Sequence, residues 1–141
     1  MITNENEILE LLPLRINSSE EILNIVNNGK LKSNHITLIK SLIGANTAIV
    51  CSWLKINVKT YRKFAASNID LDPVLQKRII LFLILIKHGI EFFGTGIKFK
   101  NWLLAPNFYF DYEKPLNLLN NKEGIQFIDN ILTNMEYGNN A

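Results

Sequence analysis

Few of the residues in this 141-residue chain are placed to do covalent or metal chemistry. His35 and His88 stand 53 positions apart, each inside a stretch with helical periodicity. Neither has Cys or His neighbours at metal-ligand spacing. Cys51, the single cysteine, rules out an intrachain disulfide and falls among bulky apolar residues, where a thiol acts as a small core group. Gly94-Thr95-Gly96 lacks the preceding strand and the third glycine of a dinucleotide loop, and no P-loop occurs. Asp111 and Glu113 share one loop and read as solvated surface acids. The expectation is a protein that is not an enzyme, with no catalytic residues, no bound metal and no cofactor.

Charge carries more information. Residues 1–30 hold five acids and two bases, residues 31–100 eleven bases and three acids, and residues 101–141 two bases and five acids. The segments therefore net −3, +8 and −3, which sum to the overall +2. Residues 31–63 contain six bases and no acid. A basic centre between acidic ends suits a polyanion such as nucleic acid.

Within that centre, residues 47–66 read as two short helices joined by a tight turn, a helix-turn-helix. Thr47 is the expected N-cap of the first helix, and Asn57 that of the second. In such a motif the first residues of the second helix enter the major groove of DNA. The candidate DNA-binding residues are thus Asn57, Lys59, Thr60, Tyr61, Arg62 and Lys63. Lys59, Arg62 and Lys63 would meet phosphates or base edges, and Thr60 and Tyr61 would add backbone contacts. Lys55 occupies the turn position where glycine is common.

The elements that must position these residues are all helical, since no stretch alternates with the period of two that a half-buried strand needs. Ser18 and Glu21 have capping-box spacing before a helix that ends at Asn28-Gly29. A long helix runs from an Asp70 or Asp72 cap, through Pro73, to about Phe93. It is apolar almost all round, as a central helix covered on several sides would be. Gly89 within it suggests close approach of another helix. A shorter helix with Phe99, Trp102 and Leu103 follows, then an aromatic loop, a short turn after Pro115, and a last helix from about Gly124 to Tyr137. The fold expected is all-α: an N-terminal helical extension over residues 1–33, a helix-turn-helix with its long connecting helix over 34–93, and a small helical domain over 94–141. No targeting signal is legible, and the longest apolar run, residues 79–86, is far short of the roughly 20 residues that span a bilayer. A cytoplasmic location is expected.

The C-terminal part contains Trp102-Leu103, Pro106-Asn107, Pro115-Leu116 with Leu119, Gly124 with Phe127 and Ile128, Leu132, and Tyr137-Gly138, in that order. This series resembles the C-terminal toxin-binding domain of the Xre/MbcA/ParS-type antitoxin family. The resemblance extends back to about residue 34, because such antitoxins place an Xre-like helix-turn-helix and a long apolar helix before that domain. Residues 108–112, Phe-Tyr-Phe-Asp-Tyr, depart from the family pattern, which has glycines and an aliphatic residue there.

The resemblance implies an antitoxin of a type II toxin–antitoxin system. It implies a cognate toxin partner of the RES type, which consumes NAD, and operator DNA as a second partner, bound by a homodimer. It also implies that the end of the last helix, Asn134, Met135, Glu136, Tyr137 and Gly138, binds the toxin and covers its active site. The alternative is a helix-turn-helix protein with one of these activities alone, either a toxin neutraliser without DNA binding or a regulator without a toxin.

Overall fold

The computed structural model describes residues 5–16 and 18–138. Eight α-helices follow one another among these residues: α1 (Glu5–Leu11), α2 (Ser19–Asn27), α3 (Thr37–Ile43), α4 (Thr47–Leu54), α5 (Val58–Ala65), α6 (Pro73–Phe93), α7 (Gly96–Leu104) and α8 (Lys122–Glu136). Single 3₁₀ turns at Ser33–Ile36, Phe108–Phe110 and Pro115–Leu118 link them. The fold is all-α, with no strand among the described residues; an isolated antiparallel bridge pairs Lys32 with Asp70.

The long helix α6 organises the rest. Asp72 caps it by accepting the Val74 N–H at 3.1 Å, Pro73 opens its first turn, and Gly94 ends it with φ +95°. Residues 79–86 are all buried, so the uninterrupted apolar run is covered on every side. Helices α2, α3, α4, α7 and α8 all pack on α6. Each large aliphatic side chain withdrawn from water there contributes roughly 1.5–3 kcal/mol, and this burial, more than local propensity, holds the helix.

Gly89 explains how α7 fits against α6. A Cβ at this position would lie 2.4 Å from the Phe99 ring, so the close approach read from the sequence is required by the geometry. Phe93, Phe99 and Trp102 then form an aromatic cluster, with Phe93–Phe99 and Phe93–Trp102 centroids 5.9 and 5.6 Å apart. Trp102 is half-buried at the edge of this cluster, whereas Phe99 is wholly enclosed.

The N-terminal segment is tied across the same core. Lys87 donates to the Leu9 carbonyl at 3.1 Å, and Arg15 donates to the Thr133 hydroxyl at 2.8 Å. Ser18 precedes α2, but its side chain makes no capping bond, so the predicted capping box does not form. Buried side chains from Ile8 to Leu132 belong to one continuous hydrophobic cluster. Among the described residues no single helix is long and apolar enough to cross a membrane.

Candidate nucleic-acid and partner-binding surfaces

Helices α4 and α5 are joined by a three-residue turn, residues 55–57. Asn46, not Thr47, caps α4, accepting the Ile49 N–H at 2.9 Å. Thr47 is the first helical residue, and its hydroxyl accepts from Lys40 at 2.9 Å. The expected cap Thr47 is displaced by its neighbour, since Asn46, with its backbone extended, takes the role. At the other end Lys55 adopts the left-handed conformation, φ 59° and ψ 43°. That conformation costs a residue with a Cβ about 1 kcal/mol, which is why glycine is common there. Arg78 donates to the Leu54 carbonyl at 3.1 Å, satisfying one of the acceptors that end a helix. Asn57 then caps α5 as expected, accepting the Thr60 N–H at 2.7 Å.

Helix α5 has two distinct faces. Tyr61 is buried and Phe64 and Ala65 half-buried, and the helix packs against the 3₁₀ turn Ser33–Ile36. Asn57, Lys59, Arg62 and Lys63 are exposed and Thr60 is half-buried. At 6% exposure the Tyr61 ring belongs to the core, so it offers little surface for the backbone contact read from the sequence. Burial, with Cys51 nearby adding to it, pushes its phenol above the ordinary value. The signal was present in the sequence, since Tyr61, Phe64 and Ala65 lie three and four apart on one face. Cys51 is buried too, and burial raises its thiol, so it is poorly suited to nucleophilic work.

The end of α8 forms a second surface. Asn121 caps the helix through the Gly124 N–H at 2.8 Å. Gly124 is needed because a Cβ there would fall 1.6 Å from the Leu118 carbonyl oxygen. Asn134 and Tyr137 are exposed, Tyr137 at 75%; Met135 is half-buried, and Gly138 turns the chain with φ +78°.

Glu136 also has a partner within the protein. Its carboxylate pairs with His88 Nε2 on α6, while Asp129 Oδ1 lies 2.7 Å from His88 Nδ1. Asp129 is buried. The Asp129 hydrogen bond raises the His88 pKa above its ordinary value and Glu136 adds to it, outweighing the opposite effect of burial. Both carboxylates thus clamp α8 to α6, and Glu136, its side chain 40% exposed, still reaches the surface. The sequence did not reveal this pairing, because the histidine and its acids are 41 and 48 residues apart.

A third exposed feature is the aromatic loop. Phe110 is buried against Trp102 and Phe127, with centroids 6.2 and 5.7 Å away. Phe108 and Tyr112 are 71% and 70% exposed, and their rings meet edge to face at 6.0 Å. Asp111 and Tyr112 both have positive φ, 53° and 63°. Backbone bonds from Asn107 N–H to the Glu113 carbonyl at 3.0 Å and from Tyr112 N–H to the Asn107 carbonyl at 2.9 Å close the loop on itself. Non-glycine residues adopt this backbone, and two aromatic rings, Phe108 and Tyr112, are exposed.

No protein-family model and no curated protein matches this chain. Among the described residues no group of three or more His, Cys, Asp or Glu side chains could hold a metal ion.

Proposed function

We propose that the protein is the antitoxin of a type II toxin–antitoxin system. It acts in the cytoplasm, binds a cognate toxin, covers its active site and represses its own operon as a dimer. The observation that carries the DNA half of this reading is α5. Its cap, Asn57, and its cations Lys59, Arg62 and Lys63 face solvent at the start of the second helix of a turn-linked pair, while Tyr61 anchors the opposite face. Such a helix offers its first turns to the major groove. The toxin half rests on the order of C-terminal motifs from Trp102-Leu103 to Tyr137-Gly138. RES-type chemistry in the toxin comes from that resemblance alone.

Glu136 is held by His88 but remains exposed, so the toxin-facing groups are Asn134, Glu136, Tyr137, Gly138 and the half-buried Met135. The exposed pair Phe108 and Tyr112 supports a second contact surface on the same C-terminal segment, because aromatic side chains are enriched in interface cores. The reading gives the protein no catalytic role. Fluorescence anisotropy with DNA from upstream of its own gene tests it. Specific, salt-sensitive binding is expected from wild type and is weakened in Arg62→Ala/Lys63→Ala; equal affinity for unrelated DNA would remove the repressor role.

A further inference from the structure

A cavity of about 380 Å³ opens between the end of α4, the first half of α6 and the start of α8. Lys55, Lys77, Arg78 and Lys122 line it, and no carboxylate does so among the described residues. These cations come from three separate parts of the chain, so the fold gathers them. Arg78 is bonded to the Leu54 carbonyl. The ammonium groups of Lys55, Lys77 and Lys122 make no hydrogen bond or ion pair among the described residues. Four like charges around one opening repel one another, and an anion seated there relieves that repulsion. The dipole of α8, which begins at this rim, adds to the positive potential.

The floor is of a different character. Trp53, Leu81, Phe82 and Ile125 form it, none more than 4% exposed, and the Trp53 and Phe82 rings stack at 5.1 Å and 11°. Val74, 63% exposed, is an apolar wall. A cationic rim over an apolar floor fits a ligand with a charged head and an apolar body, and the volume is that of a small-molecule site. The floor lies between α4, α6 and residues 119–125, and no residue of α5 lines it.

We infer that this cavity binds a phosphate-bearing small molecule with an apolar body of nucleoside size. The phosphate oxygens take the Lys55, Lys77 and Lys122 ammonium groups, and the body lies against Val74, next to the enclosed edge of Trp53. The site is separate from the outward face of α5, and the inference stands whether or not the protein is an antitoxin.

The test is an NMR titration of the full chain with adenosine monophosphate, following the two indole N–H signals. The Trp53 signal should move to saturation and the Trp102 signal should stay. Inorganic phosphate and adenosine should each bind at least about tenfold more weakly, since each fills only part of the site. Lys77→Gln/Lys122→Gln should weaken binding about tenfold or more, because two charge-assisted bonds are removed. Lys55→Gly should also weaken binding while keeping or raising the melting temperature, which separates loss of the site from loss of the fold. A Trp53 signal unmoved by millimolar mononucleotide overturns the inference. So does an affinity unchanged in both charge variants, or inorganic phosphate binding as tightly as the mononucleotide. A Trp53 signal moved by duplex DNA and not by the mononucleotide assigns the cations to nucleic acid and overturns it equally.

Discussion

His88 on α6 and Asp129 on α8 meet at 2.7 Å inside the protein, and Glu136, two turns further along α8, takes the other ring nitrogen. A histidine donating from both nitrogens is the protonated form. The clamp therefore couples the packing of the two longest helices to a proton.

The folded pKa of His88 lies above the ordinary 6.5, mainly because of Asp129. Stabilisation from the clamp is complete below about pH 6.5 and is lost as pH rises through the folded value. Melting temperature should fall across that window. His88→Gln should flatten the profile there and lower stability at pH 6, because Asp129 stays buried without its cationic partner. Thermal melts between pH 5.5 and 8.5, read by circular dichroism, check both expectations.

Gly89→Ala should destabilise the protein although alanine is the better helix former. The new Cβ would meet the Phe99 ring at 2.4 Å, and overpacking of this kind costs about 1–3 kcal/mol. The helix-propensity gain of about 1 kcal/mol offsets only part of it. Phe99→Leu in the same chain makes room, so the double variant should lose less than the sum of the two single losses. Urea denaturation of the four proteins measures the coupling.

How far the sequence carries these conclusions differs by element. The limits of α6 are legible in Asp72, Pro73 and Gly94, and the approach at Gly89 in a glycine that a helix interior disfavours. The Asn57 cap is legible because its neighbours offer no rival, whereas at α4 Asn46 and Thr47 compete and only the backbone geometry decides for Asn46. Tyr61 has a hydroxyl that suggests an outward role, but its place on the apolar face of α5 decides its burial. The His88 clamp and the cations of the cavity are not legible, since tertiary packing alone brings such distant residues together. Spacing within one element has no access to that.

Trp102→Ala should cost about 3 kcal/mol, the low end for a tryptophan because its ring is only half-buried. It removes packing against Phe93, Phe99 and Phe110. The loop carrying Phe108 and Tyr112 rests on Phe110, so faster amide exchange over residues 107–113 should accompany the destabilisation. Exchange unchanged in the loop would show that Phe127 alone holds it.

Arg62→Ala/Lys63→Ala should leave the melting temperature unchanged, because both side chains are exposed. It should flatten the log–log salt dependence of operator binding by about one unit for each phosphate no longer neutralised. Tyr61→Phe should leave that slope unchanged, since the ring is inside. A slope lowered by Tyr61→Phe in a fully folded protein would return this residue to the DNA-facing surface.

The most direct measurement is growth of cells expressing the product of the neighbouring gene, with and without this chain. Arrest by that product alone and its relief by the wild-type chain are predicted. Tyr137→Ala should relieve arrest less well, through faster dissociation of the complex, while Arg62→Ala/Lys63→Ala should protect fully. Arrest that persists in the presence of the folded wild-type chain, or no arrest at all from the neighbouring product, would contradict the antitoxin account.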